Sequence, residues 1–209
     1  MDWPTIASLA TAAGTLVLAV ATFASVRSAN RAARVAERSL LAGLRPLLVP
    51  ARLQDPPQKV MWQDQHFVHL DGGRATAESV DGTLYLAAAV RNAGSGLAVL
   101  WGWYPYAGFR PGSEDHAPPE EFRRLTRDLY IAPSDTGFWQ GAVRQYEDPF
   151  HEPLQAAIEQ RDRLTIDVLY GDQEGGQRII TRFALSPLPD GGYLLATGRH
   201  WNLDRADPR

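Results

Sequence analysis

The feature that most constrains this chain is an uncharged stretch near its N-terminus. From Trp3 to Val26 the sequence contains no Asp, Glu, Lys or Arg over 24 consecutive residues. A helix of that length rises roughly 36 Å at about 1.5 Å per residue, more than the hydrocarbon core of a bilayer, which is about 30 Å thick. The stretch therefore predicts a transmembrane helix over residues 3–26. A buried helix of a soluble domain is the alternative, because Ala and Thr dilute the larger apolar residues.

The basic residues around this stretch predict its orientation. Four arginines follow it: Arg27, Arg31, Arg34 and Arg38. The N-terminal flank carries only Asp2. Because basic residues are enriched on the cytoplasmic side, we expect a single-pass protein of the cell membrane with its N-terminus outside and its C-terminal domain in the cytoplasm. A cleaved signal peptide is a second alternative, but its basic residues would precede the apolar run.

The helix is expected to continue beyond the membrane, because Ala, Leu, Arg and Glu dominate residues 27–44 and no Pro interrupts them. At about 100° per residue, the four arginines fall on one stripe of this juxtamembrane helix. Membrane lipid headgroups are the expected partners of the stripe, and an acidic protein is the alternative. Residues 1–44 are therefore predicted to form an anchor.

Small and weakly polar residues share the opposite face of the same helix. They are Ala7, Thr11, Gly14, Leu18, Thr22, Ser25, Ala29, Ala32 and Ala36. Small residues let two helix backbones approach closely, which predicts a homo-oligomer or a complex with another membrane protein. The alternative is that the Ser and Thr hydroxyls bond carbonyl groups of their own helix and need no partner.

After residue 45 the sequence changes to short apolar runs separated by Gly, Pro, Asp and Asn, which is typical of strands and turns. Ten strands are predicted, at Leu47–Leu53, Lys59–Trp62, His66–Leu70, Thr83–Arg91, Leu97–Tyr104, Arg124–Ile131, Gly137–Val143, Leu164–Tyr170, Gln177–Leu185 and Tyr193–Thr197. This number favours a mainly β fold, a sandwich or barrel, over residues 45–203, followed by a flexible tail at 204–209. Helical turns are expected only at Pro153–Gln160 and Pro119–Arg124.

The clearest β element is a hairpin formed by Leu164–Tyr170 and Gln177–Leu185 around a turn-rich segment. Side chains alternate between the two faces of a strand, so Arg182 shares its face with Ile180 and Ala184. This alternation predicts that one face of the hairpin is core and the other is exposed to solvent.

Four features of the chain carry a resemblance to a known group of proteins. They are the N-terminal span, the arginine-bearing helix that ends at Arg45-Pro46, the segment Val90–Ala98, and Tyr170 and Asp172 ahead of a Gly-rich turn. In this combination the chain resembles uncharacterised bacterial single-pass membrane-anchored proteins with an immunoglobulin-like β-sandwich domain. The resemblance covers most of the chain and implies that fold. It implies no catalytic residue, because no activity is assigned to the group.

The amino-acid composition indicates the kind of organism the chain comes from and excludes some classes of partner. The basic residues are 20 Arg and one Lys, a bias that together with abundant Ala and Gly indicates a bacterium with GC-rich codons. A net charge of −3 offers no basic field, so no nucleic-acid partner is expected. Without Cys, the chain has no disulfide, thiolate metal site or cysteine nucleophile.

Motifs for catalysis or cofactor binding are not found in the sequence. The Gly-rich segment Asn92–Gly96 lacks the Lys of a P-loop and is expected to be a turn. Asp64, His66 and His69 lie close in sequence, but alternation sends the two imidazoles to opposite faces of a strand. We therefore predict no cofactor, no metal and no enzyme activity. An enzyme is the alternative only if distant residues, such as Asp135 or Asp172 with a histidine, come together.

Aromatic residues mark a possible binding surface. Trp101 and Trp103 are two residues apart in one predicted strand, and Tyr106 follows. On one face of a strand they would form a stacking platform for a sugar or a peptide. The alternative is that the tryptophans belong to the core of the sandwich.

Together these patterns favour a membrane-tethered cytoplasmic interaction or scaffold module that self-associates or joins a membrane complex. An extracytoplasmic domain that binds carbohydrate or peptide is the alternative from a different class, and it would need the opposite orientation. An enzyme with an unrecognised active site is the third hypothesis.

Overall fold

The computed structural model describes residues 2–207 as two compact units, a helical unit that ends at Gly43 and a domain that begins at Leu44. Within that range, four side chains of the helix are not described: those of Ala10, Arg38, Leu41 and Ala42. The helical unit is a single 41-residue α-helix, α1 (Trp3–Gly43). The predicted continuation of the helix beyond residue 26 is therefore confirmed.

Helix α1 is long and apolar enough to cross a membrane between Trp3 and Glu37. Its large apolar side chains are exposed: Leu16 by 67%, Val20 by 63% and Phe23 by 69%. Exposure to water of one such side chain costs about 1.5–3 kcal/mol relative to burial. By its length and apolar composition, α1 is a candidate membrane span.

The domain is mainly β, as predicted. Its described part contains eleven strands: β1 (Leu48–Pro50), β2 (Gln58–Met61), β3 (Phe67–Leu70), β4 (Arg74–Val80), β5 (Thr83–Asn92), β6 (Ala98–Tyr106), β7 (Arg123–Ile131), β8 (Thr136–Val143), β9 (Leu164–Gly171), β10 (Arg178–Pro187) and β11 (Tyr193–Asn202). A 3-10 turn at Pro119–Glu121 and a helix α2 (His151–Glu159) complete the domain. Every predicted strand and both predicted helical turns overlap an element of the structure.

Strand β4 is the one that sequence reasoning missed. Its inward-facing residues are Ala75 and Ala77, which are 2% and 5% exposed, and Arg74, Thr76 and Glu78 alternate with them. Alanine has a weak hydrophobic signal and a low intrinsic preference for strands. The strand forms because its neighbours β5 and β11 supply hydrogen-bond partners.

The strands pair antiparallel in one curled sheet, and β2 and β3 form a separate hairpin. Strand β5 pairs with β1 and β4 along one edge and with β8 along the other. The other half of the sheet has the order β7-β6-β9-β10-β11, and a two-residue pairing of β11 with β4 joins the halves. This arrangement is compatible with an immunoglobulin-like sandwich, although the two halves share hydrogen bonds.

Both faces of the β9–β10 hairpin are buried, so the predicted solvent-exposed face is wrong. All eight residues of β9 are buried, including Thr165 and Asp167 on the face opposite Ile166. The face of Ile166 packs into the main core with Trp139 and Phe183. The opposite face is buried because a loop at residues 107–118 bonds to it, as described below for Arg182.

The segment that follows α1 is fixed to the sheet by Asn92, a fully buried side chain. Its amide oxygen accepts hydrogen bonds from the backbone N–H groups of Leu47 and Gly94, at 3.0 and 2.9 Å. Its amide nitrogen donates to the carbonyl oxygens of Gly96 and Ile131. The Gly-rich segment 92–96 is thus a turn between β5 and β6, as predicted.

The start and the end of the domain are also joined. The guanidinium of Arg45 donates to Asn202 Oδ1 at 2.7 Å and to the carboxylate of Asp204 at 2.5 Å. The backbone N–H of Asn202 donates to Asp207 at 2.8 Å. Residues 204–207, in the segment predicted as a flexible tail, therefore bond to the domain, and residues 208–209 lie outside the description.

Candidate functional site

A cavity of about 580 Å³ opens between β6, β7 and the 3-10 turn. Its apolar lining includes Trp101, Phe122 and Leu169, and its charged lining consists of Glu120, Arg124 and Asp128. We call it the Trp101 cavity. Its volume lies within the range of about 300–1,000 Å³ found for small-ligand sites.

Trp101 is the position at which β6 is bulged. The register of β6 against both β7 and β9 shifts between Leu100 and Gly102. Trp103 is 2% exposed in the main core, whereas Trp101 is half-buried and packs with a separate cluster. The expected shared face of Trp101 and Trp103 is therefore wrong, because one extra residue inverts the alternation between them. Trp101 keeps its place at a candidate site, and Trp103 is a core residue.

A glycine on β9 lets the indole ring of Trp101 lie close to the sheet. A Cβ atom at Gly171 would come within 2.6 Å of Cη2 of Trp101 and would overlap the carbonyl oxygen of Gln177. Phe122 and Leu169, each 8% exposed, pack in the same cluster as Trp101. The ring of Trp101 and these two side chains form an apolar floor for the cavity.

Strand β7 separates from β6 along the mouth of the cavity. Leu129 pairs with Leu100 and Arg124 pairs with Gly102, so the four residues from 125 to 128 have no partner on β6. Leu125 and Leu129 would share a face of a regular strand, and the position between them on that face is Arg127 instead of an apolar residue. That interrupted alternation was the sequence signal for this site, and it was missed, as were its charged residues.

The charged side chains of the Trp101 cavity have no partner in the described chain. Within residues 2–207, Glu120, Arg124 and Asp128 make no side-chain hydrogen bond and no salt bridge. By contrast, Arg123 on the same strand pairs with Asp148 at 2.5 Å. Two carboxylates and one guanidinium are thus available to a ligand in this cavity.

A buried ion pair fixes the loop at residues 107–118, which leads into the cavity-lining residues Pro119, Glu120 and Phe122. Arg182 on β10 and Asp167 on β9 are opposite in register and bond twice, with Nε to Oδ1 at 2.8 Å and Nη2 to Oδ2 at 2.7 Å. Both side chains are 0% exposed. Arg182 also donates to three loop carbonyl oxygens, those of Pro111, Glu114 and Asp115. Burial alone would lower the pKa of Arg182, but Asp167 raises it above its ordinary value.

Tyr106 belongs to this same network. Its hydroxyl donates to Asp167 Oδ2 at 3.2 Å and accepts the backbone N–H of Ala117 at 3.1 Å. Burial, and then the negative charge of Asp167, raise the pKa of Tyr106 to about 12. Tyr106 was predicted to lie on a binding surface, and in the structure it holds the loop that leads to Glu120 and Phe122.

The residues predicted to form a helix interface are exposed on α1. The hydroxyls of Thr11 and Thr22 donate to carbonyl oxygens four residues earlier, those of Ala7 and Leu18, at 2.9 and 2.8 Å. Gly14 has no atom beyond its own helix within 4 Å of the position of a Cβ. The other exposed members of the set are Ser25, Ala29, Ala32 and Ala36. The hydroxyls of Thr11 and Thr22 therefore need no partner on another helix, and the small residues of this face are exposed.

The predicted headgroup-binding arginines are also on the surface of α1. Arg27, Arg31 and Arg34 are exposed, and Nε of Arg34 donates to the carbonyl oxygen of Asn30 at 3.2 Å. The side chain of Arg38 lies outside the described residues. Three long cationic side chains are thus free to reach an anionic surface.

Two of the histidines bond to polar side chains of the sheet. His66 bonds to Glu78 at 2.7 Å and stacks on Tyr85. His200 bonds to the hydroxyl of Thr181 at 2.8 Å, but Thr181 is fully buried and no substrate can reach it. Among residues 2–207, no group of three or more His, Asp or Glu is placed to hold a metal ion.

Comparison of the chain with protein-family models, with curated proteins and with solved structures finds no match. The class of protein is therefore defined by the two units themselves. One is an apolar helix long enough to cross a membrane, and the other is a mainly β domain with a cavity of mixed apolar and charged lining.

The buried pair yields a prediction for stability. Replacement of Arg182 by Met leaves the Asp167 carboxylate buried without its counter-charge and frees three loop carbonyls. We expect the free energy of unfolding to fall by about 3–5 kcal/mol, measured by chemical denaturation. Arg74→Met is the matched control, because Arg74 pairs with the exposed Asp190 and solvent screens that pair, so its loss should cost far less. Equal losses in the two variants would contradict the role of the pair.

The buried tyrosines predict an alkaline limit of stability. Burial raises the pKa of Tyr170 to about 12, as it does for Tyr106. A raised pKa contributes stability that is complete below the unfolded value of about 10 and is lost as the pH rises through 12. We expect the melting temperature to fall between about pH 10 and 12, with a smaller fall in Tyr106→Phe. Thermal unfolding followed across that range tests this, and a flat profile in the unmodified chain would refute it.

Proposed function

We propose that the protein is a single-pass membrane protein whose β domain acts as a cytoplasmic interaction module. The observation that carries the proposal is the exposed apolar surface of α1, which continues without interruption into an arginine-bearing segment. A helix of this length can span a bilayer, and the hydrocarbon core of the bilayer removes its apolar side chains from water.

The orientation follows from the arginines. Arg27, Arg31 and Arg34 are exposed directly after the apolar part of α1, where they meet the anionic headgroups of the cytoplasmic leaflet. Each basic side chain near such a surface contributes about 1 kcal/mol. The domain after residue 44 then lies in the cytoplasm.

Self-association through α1 is part of the proposal. Gly14 and Ala32 lie on the small-residue face, and small side chains allow close backbone contact between helices. Because Thr11 and Thr22 bond carbonyl groups of their own helix, packing and not interhelical hydrogen bonding would hold the pair together.

The tether is tested by fractionation and by reporter fusions. We expect the full chain to sediment with membranes and to be released by detergent but not by high salt or carbonate. A cytoplasm-dependent reporter fused after the C-terminal residue should be active, and a periplasm-dependent one silent. Recovery of the chain in the soluble fraction would contradict the tether. The reverse reporter pattern would favour an extracytoplasmic binding domain, for which the Trp101 cavity is the supporting observation.

Self-association is tested by paired substitutions in α1. Gly14→Leu with Ala32→Leu should reduce crosslinked dimer in membranes, because the larger side chains hold two helices apart. Thr11→Val with Thr22→Val is the matched control on the same face, and it should leave crosslinking unchanged. Loss of dimer in the threonine variant alone would show that hydroxyl contacts, not small-residue packing, join the helices.

A further inference from the structure

Trp101 differs from the other tryptophans of the domain in its surroundings. Trp103 has Arg123 over its ring at 5.4 Å, and Trp201 has Arg182 over its ring at 4.8 Å. Trp62 and Trp139 contact other aromatic rings. Among residues 2–207, Trp101 alone of these five has no cation over its ring and no stacked, tilted or edge-on ring partner, and its aromatic neighbour is Phe122 on the cavity floor. Its half-buried ring is thus available to a cation from outside the domain.

The charges in the Trp101 cavity favour a cation as well. Glu120 and Asp128 outnumber Arg124, and all three are without partners in the described chain. An aromatic ring attracts a cation to its face, and this attraction is stronger when carboxylates lie nearby. An anionic ligand such as a phosphate would instead face two carboxylates with a single arginine.

The mouth of the cavity also suits a polypeptide. Residues 125–128 have no partner on β6, so part of the backbone of β7 lacks strand pairing at this point. Arg124 lines the same mouth and can donate hydrogen bonds to carbonyl oxygens. A peptide presents both groups together, a basic side chain for the floor and carbonyl oxygens for Arg124.

From these observations we propose that the Trp101 cavity binds an arginine or lysine side chain presented by a peptide segment of a partner protein. The cationic group lies over Trp101 between the carboxylates of Glu120 and Asp128, and the peptide backbone contacts Arg124 and the unpaired part of β7. This deepens the proposed function, on which it rests, by giving the chemistry of the partner that an interaction module would recognise.

The test is a titration of the full chain in detergent micelles, labelled with 5-fluorotryptophan and followed by fluorine NMR. The six tryptophans give separate reporters, and Trp101→Phe assigns the resonance of interest. The probe is a capped tripeptide with a central arginine. The control is the same peptide with citrulline, an uncharged isostere, in place of the arginine. We expect the Trp101 resonance to move with the arginine peptide and not with citrulline, and the shift to weaken as salt is added.

Charge variants of the chain measure how much each carboxylate contributes to the affinity for the arginine peptide. Glu120→Gln and Asp128→Asn should each weaken binding about two- to fivefold, and the double variant about tenfold. Glu174→Gln, the same change on an exposed turn outside the cavity, should leave the affinity unchanged. An unmoved Trp139 resonance shows that each variant keeps the core.

Three results would overturn the inference: no shift of Trp101 at millimolar arginine peptide, equal shifts with citrulline, or a shift with a neutral disaccharide in place of the peptide. Each of these leaves the tether intact, because fractionation reports on it separately. Conversely, a chain that fractionates as soluble would remove the proposed function while the titration still reports on the cavity.

Discussion

The arrangement of the β domain depends on burying the ion pair of Arg182 and Asp167. A charge pair removed from water is tolerable only when its remaining hydrogen-bonding groups are satisfied. Here the guanidinium N–H groups that Asp167 does not use are satisfied by three carbonyl oxygens of the loop after β6. The loop must therefore lie over β9 and β10, and the residues that follow it, Pro119–Phe122, reach the edge of β6.

The bulge at Trp101 places the two tryptophans of β6 in different surroundings. Without the extra residue, Trp101 and Trp103 would share one face, and that face would belong wholly to the core or wholly to the surface. With the bulge, Trp103 completes the packing against Trp139 while Trp101 faces the cavity. Core stability and a candidate binding surface are thus obtained from two neighbouring tryptophans.

Local patterns were enough to predict every element except β4, but not the site. The helix α1, the strands and the turn at Asn92–Gly96 follow from spacing, alternation and turn residues that act over a few positions. The burial of Arg182 depends on a loop about 70 residues away, from Pro111 to Asp115, which bonds to it. The bulge at Trp101 depends on the strand register, which a single sequence does not specify. Glu120 and Asp128 come together at the cavity only once the strands are paired in that register. Strand β4 was not predicted, because its inward-facing alanines carry a weak hydrophobic signal and have a low preference for strands.

Charge is divided between the two parts of the chain in a way that fits both proposals. Residues 1–44 carry four arginines against Asp2 and Glu37, a net charge of +2, and with a total of −3 the rest of the chain carries −5. In the proposed membrane protein, the arginine-bearing part of α1 carries the charge that an anionic leaflet attracts. The negative charge of the domain attracts a basic segment of a partner and raises its rate of encounter.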